Sequence, residues 1–270
     1  MSSDVVFWLS IGLKLVLTAG IVVSASVVVE RAGPLVGALV VTLPVTVWPA
    51  YVFLAMDHDA IYLFSSAEAG LAVNAASGVF MLIYLMLAQK RGLAVSLGVA
   101  VGSWIFLAQV VRSLNWTLYS AGLLNLLVFA ICITLSWRYR GVTAPRMTRQ
   151  WYELPLRTAL VCALMAAVLL LSHWGGAEVT GMVAVYPIST TCTMLILHAR
   201  IGGRASAAVI SNGLWGIFGI GIGLFGMAST VKSSGIPLAL GLLLAIPVTW
   251  NLSIWYLRRR RACRALKKPK

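Results

Sequence analysis

The chain has 270 residues, of which 60% are hydrophobic and only 10% charged, and its mean hydropathy is +0.94. A water-soluble domain of this size covers itself with far more charge, so composition excludes a soluble enzyme and points to one all-α, polytopic membrane helix bundle. The net charge of +14 is gathered into loops and a tail, Arg258-Arg259-Arg260-Arg261-Ala262-Cys263-Arg264, closing on Lys267, Lys268 and Lys270. Because that tail directly follows an apolar run, its expected partner is the anionic inner-leaflet lipid rather than nucleic acid, at roughly 1 kcal/mol per basic residue near the surface.

A hydrocarbon core about 30 Å thick takes about 20 apolar residues per helix. Charges and turn residues divide the chain into nine such runs, at about 5–29, 35–56, 66–89, 92–111, 117–137, 155–173, 178–199, 206–228 and 236–257. Each must be helical, since lipid offers an isolated apolar segment no other way to satisfy its backbone. The first run lacks a basic leading segment, carries Lys14 inside and is longer than a signal-peptide core, so it reads as an uncleaved span. Residues 138–154 form a basic connector, with Trp151 and Tyr152 at headgroup level.

Lys and Arg give the orientation. With the N-terminus outside, the inner loops hold Arg31, Lys90, Arg91, Arg138, Arg140, Arg146, Arg149, Arg200, Arg204 and the tail. The outer loops hold Arg112, Lys232 and the acidic cluster Asp57-His58-Asp59. The expectation is an integral plasma-membrane (inner-membrane) protein with its C-terminus in the cytoplasm.

The two halves, 1–137 and 155–257, align weakly but in order. An offset of 143 residues pairs Lys14 with Arg157, Gly33 with Gly176, Pro44 with Pro187 and Thr46 with Ser189. After a five-residue deletion, Asn74 meets Asn212 and Gly78 meets Gly216. The unit is five spans, and an odd unit places its two copies in opposite orientations. The reading is an inverted five-helix repeat whose tenth helix is absent, an arrangement common among secondary transporters, whose sites lie near the midplane between the repeats.

Pro44 and Pro187 fall near the middle of spans 2 and 7, where each removes a backbone donor and clashes with the preceding turn. Hydroxyls flank both: Thr42 and Thr46 in one copy, Ser189, Thr190 and Thr191 in the other. Two broken helices, or merely two kinked ones, would explain the pattern. Asn74 and Asn212 would either bind a solute or bond neighbouring helices. Lys14 and Arg157 either snorkel or line an anion path. Glu68 reads as the start of span 3, where it caps the helix or carries a coupling proton. The glycines of span 8, from Gly213 to Gly226, make a smooth face for close packing.

The cysteines Cys132, Cys162, Cys192 and Cys263 form no CxxC or disulfide framework. Three contiguous residues, Asp57-His58-Asp59, make a poor metal cage. No phosphate-binding loop, dinucleotide fingerprint, HExxH or GxSxG occurs. Neither a metal nor a cofactor is expected, and no catalytic residue is assigned.

The leading expectation is a carrier for a small polar or anionic solute. Its site would be built from Pro44, Thr46, Asn74, Pro187, Ser189 and Asn212, with Lys14, Glu68 and Arg157 in charge or coupling roles. The alternative is a non-transporting membrane subunit or lipid-associated scaffold. Either is compatible with a homo-oligomer.

Overall fold

The structure, a computed structural model, describes residues 3–31, 46–139 and 150–266. Every regular element among them is a helix: α1 (Ser3–Arg31), α2 (Val47–Asp57), α3 (Ala60–Leu87), α4 (Leu93–Arg112), α5 (Leu118–Ser136), a 3-10 turn (Trp137–Tyr139), α6 (Glu153–Trp174), α7 (Gly176–Ala184), α8 (Ile188–Val231) and α9 (Ile236–Leu266). Among the described residues seven segments are long and apolar enough to cross a membrane, and α2 is a shorter apolar helix.

One of those seven, Gly176–Val231, holds both expected spans 7 and 8. It is interrupted between α7 and α8, and α8 itself turns back at Gly202, whose φ of 77° and ψ of 165° lie outside any helix. A positive φ suits glycine because it has no Cβ to clash with the carbonyl. The expected second span survives as α2. Its residues 35–45, with Pro44, lie outside the described residues, as do 140–149 of the connector and 267–270 of the tail.

The expected start of span 3 at residue 66 is corrected to Ala60. The carboxylate of Asp59 accepts a hydrogen bond from the Tyr62 backbone N–H at 2.9 Å and caps α3 there. Glu68 therefore sits in the third turn rather than at the helix start. Pro49 does not break α2. It falls in the first turn of that helix, where its missing N–H has no helical partner to lose.

Helix α3 is the centre of the bundle, 78% of its most apolar window being buried against 22–28% for α1, α4, α5, α6 and α9. Around it pack α4, α5, α7 and α8. Several glycines of α7 and α8 are sites of close contact. A Cβ at Gly181 of α7 would run into the Ser66 carbonyl, and one at Gly203 of α8 into the Ala88 carbonyl. On the other side of α8, Gly219 and Gly223 admit Trp250 and Pro247 of α9, at 2.6 and 2.8 Å from where a Cβ would sit.

Directions of travel follow from the contacts. The first arm of α8 and α7 run parallel to α3, from Tyr62 beside Thr180 to Tyr84 beside His198. The second arm of α8 runs antiparallel to α3, from Met81 against Gly213 to Phe64 under Lys232. Helix α5 runs parallel to α3, with Asn125 on the Leu71 carbonyl and Phe129 on Gly78. Helices α1 and α6 are antiparallel, since Phe7 meets His173 and Leu15 meets Cys162.

Alanine at Gly181 or Gly203 should therefore destabilise the detergent-solubilised protein by about 1–3 kcal/mol through overpacking. Alanine at Gly98, where nothing lies within 4 Å, should be neutral or stabilising by up to about 1 kcal/mol. Thermal unfolding of the three variants checks both.

Candidate functional site: an interrupted helix held between two ion pairs

Helix α7 ends at Ala184 and α8 begins at Ile188. Between them, Pro187 has φ −78° and ψ 59°, an inverse γ-turn, closed by the Ile188 N–H donating to the Tyr186 carbonyl at 2.7 Å. The break comes about ten residues after the start of α7, roughly 15 Å along a helix axis. Pro187 has no side-chain donor or acceptor, and α8 has no side-chain cap. The first-turn N–H groups of Ser189 and Thr190 thus point out of a helix N-terminus that carries partial positive charge.

The walls of the break are aromatic and hydroxylic. Tyr186 stands edge-on to Trp104 with ring centroids 4.8 Å apart, and Phe80 lies 6.3 Å away. The Thr191 hydroxyl donates to the Pro187 carbonyl at 3.0 Å and lies 3.3 Å from the Tyr186 hydroxyl. Thr193 donates to the Ser189 carbonyl at 2.8 Å. Beneath, Val22, Val161, Ile188 and Cys192 form a buried cluster that joins α1, α6 and α8.

Of the residues expected at a site, Pro187 and Ser189 are at this break. Thr46 precedes α2 as its N-cap, again without a side-chain cap bond, and Pro44 is outside the described residues. Asn74, only 1% exposed, donates to the Ile217 carbonyl of α8 at 3.2 Å, a bond between helices. Asn212 is on an exposed face, donating to the Ala208 carbonyl one turn back at 3.2 Å. The two asparagines therefore do not converge. Asn125, which the sequence reading did not single out, does join Asn74: both lie beside Gly221, and Asn125 donates to the Leu71 carbonyl at 2.9 Å.

Charged residues are placed in pairs. Lys14, 5% exposed, forms an ion pair with Asp57 at the end of α2. Glu153 at the start of α6 pairs with Arg200 near the end of the first arm of α8. Asp57 and Arg200 are separated by 143 residues, the offset of the two prolines. Lys14 has its counterpart in Arg157, one helical turn beyond Glu153. Acid and base are thus exchanged between the two pairs, with Glu153 lying four residues before the counterpart of Lys14. Arg157 itself lies within electrostatic reach of Cys192. The Glu68 carboxylate faces the Leu118 backbone N–H at the start of α5, with Lys232 and Glu178 nearby. Lys232 sits over the Phe64 ring at 3.3 Å.

At the Lys14 end, His58 stacks on Tyr62 with centroids 3.8 Å apart and lies 6.4 Å from His173. Burial lowers the pKa of His58 from its ordinary 6.5; among its neighbours, Asp57 and Asp59 act upward, His173 and Lys14 downward. At the Arg200 end, the Tyr84 hydroxyl is 3.0 Å from His198 Nδ1 and 2.8 Å from Ser206 Oγ. Among the described residues no group of three or more His, Cys, Asp or Glu is arranged to hold a metal.

Removing one partner of the Lys14–Asp57 pair leaves a largely buried cation alone. Asp57→Ala should cost up to about 3 kcal/mol, and the exchange Lys14→Asp with Asp57→Lys should recover part of it. Thermal unfolding of the single and double variants decides whether the pair acts as a unit. No protein-family model, curated protein or solved structure matches the chain.

Proposed function

We propose that this protein is a secondary carrier for a small polar or anionic solute, working by alternating access around a site between two inverted halves. The observation that carries the reading is the interrupted helix at Pro187. Non-helical backbone in the interior of a membrane bundle is tolerated where neighbouring protein re-satisfies it or where it lines a water-filled path. Here it presents an uncapped helix N-terminus, suited to an anionic or hydrogen-bond-accepting group.

The pattern of packing supports two related halves. Exchanging spans 1 with 6, 2 with 7, 3 with 8 and 4 with 9 preserves part of the contact pattern: α1 meets α6, α3 meets α8, α4 meets α3 as α9 meets α8, and α2 meets α9 as the α7–α8 segment meets α4, whereas the packing of α7 on α3 and α6 has no counterpart among the described residues. Trp104 donates to Ser77 Oγ across α4 and α3, and Trp250 to the Trp215 carbonyl across α9 and α8. Ser77 and Trp215 are 138 residues apart, the offset that pairs Asn74 with Asn212. Helix α5 packs on both α3 and α8 as the element without a partner.

In this reading nine helices span the membrane, the N-terminus is outside and the basic end of α9 is cytoplasmic. Cation–π contacts of Arg259 with Trp255 and Arg260 with Tyr256 would set that end against anionic inner-leaflet headgroups. One observation favours the second reading, a non-transporting scaffold: Asn74 is spent on a bond between helices.

Flux separates the two readings. Purified protein in liposomes, offered radiolabelled acetate, succinate, phosphate and sulfate, should show saturable uptake and counterflow for at least one. Pro187→Ala should lower that flux by roughly tenfold or more, because the uncapped turn is replaced by a better helix former. Folded protein with neither uptake nor counterflow across the whole panel would favour the scaffold.

A further inference from the structure

Three candidates outside the break carry chemistry: the Tyr84–His198–Ser206 cluster, the Asn74–Asn125–Gly221 contact, and the cluster around His58. The third reaches furthest, because it contains an ion pair, two imidazoles and a bonded route to the interrupted helix.

We infer that Lys14, Asp57, His58 and His173 form a proton-binding switch that sets the position of α7 through Tyr62. The geometry is continuous. Lys14 of α1 holds Asp57 at the end of α2. The next residue, His58, lies flat on Tyr62, with interplanar angle 7°. The Tyr62 hydroxyl is 2.9 Å from Thr180 Oγ1 on α7 and 3.3 Å from the Ser172 carbonyl on α6. Thr180 is followed at once by Gly181, whose close approach to Ser66 locks α7 to α3, and α7 ends at the break. One end of this chain titrates and the other end carries the proposed site.

His58 Nε2 is buried without a hydrogen-bond partner, so the ring gains a proton there and becomes imidazolium only when the cluster opens to water. The groups that face it are Lys14 from α1, Asp57 from α2, Asp59 from the loop, Tyr62 from α3 and His173 from α6. Two carboxylates welcome the new charge and Lys14 opposes it. The imidazolium competes with Lys14 for Asp57, so protonation loosens the pair that fixes α1 to α2. Burial holds the His58 pKa below 6.5, which means that the closed cluster favours the neutral ring. Its stabilisation is complete above pH about 6.5 and is lost as the pH falls through the lowered value.

The assignment rests on the carrier reading only in giving the proton a coupling role. The structural response is tested without a solute. Amide hydrogen exchange of residues 176–187, corrected for the intrinsic effect of pH, is compared at pH 5 and pH 8 for protein in lipid nanodiscs. The wild type should exchange about fivefold faster at pH 5. His58→Gln with His173→Gln should flatten that difference to less than about twofold. Tyr62→Phe keeps the ring stacked but removes the hydroxyl, and should also flatten it in 176–187. A wild type with no pH response in this segment overturns the inference, as does a Tyr62→Phe variant that keeps it. A liposome flux that is absent while the pH response persists would instead count against the carrier.

Discussion

A hydrocarbon surrounding offers no hydrogen bonds, and that constraint governs the rest of this molecule. It makes every described regular element a helix, and it makes each departure from helix informative. The γ-turn at Pro187 and the reversal at Gly202 are such departures. At Pro187 the turn is closed by the Ile188 N–H on the Tyr186 carbonyl, and the Thr191 hydroxyl donates to the Pro187 carbonyl. At Gly202 the chain is held by the contact of Gly203 with Ala88, so close that only glycine fits. The same constraint explains why the buried cation Lys14 is paired rather than free, since an isolated charge at that depth is strongly unfavourable.

Helix α3 turns these local features into one body. Small residues at Ser66, Gly70 and Gly78 let α7 and α5 come close, and its two tyrosines, Tyr62 and Tyr84, bond to the segment that carries the break. The ion pairs then fasten α1 to α2, and α6 to the first arm of α8. Their exchanged signs have a simple cause in the proposed orientation. The partner at the end of the second span of each half faces an aqueous side: Asp57 outside, Arg200 inside. The bias of Lys and Arg toward the cytoplasm selects Arg at the inner position. Its partner on the first span of that half must then be an acid, Glu153, where the other half carries Lys14.

Much of the fold was legible because hydropathy and charge report on lipid directly. Among the described residues, seven long apolar segments and a shorter helix overlap the expected runs, one segment taking in two of them, and the chain leaves the helix at the proline of span 7. The errors are local. Span 3 begins six residues early because Asp59, read as part of an acidic loop, caps α3. Asn74 and Asn212, paired by the sequence offset, sit differently: Asn74 is buried beside Asn125 of α5, whereas Asn212 is on an exposed face. The ion pairs were hidden for another reason. A Lys in an apolar run and an Asp in a loop 43 residues later show no local pattern, and only the fold joins them. Tyr62 and Tyr84 likewise carry no local pattern that marks them, since their partners Thr180, His198 and Ser206 lie more than 100 residues away.

The central claim is that the break at Pro187 lies on a path open in turn to both sides of the membrane. A single cysteine at Ser189, in the first turn of α8, placed in a background with the four native cysteines replaced, tests it most directly. Sealed vesicles of known sidedness would be treated with a membrane-impermeant thiol reagent, from the outside in one sample and from the inside in another. The account predicts modification from either side. Modification from neither side would place the break in a dry core and contradict it.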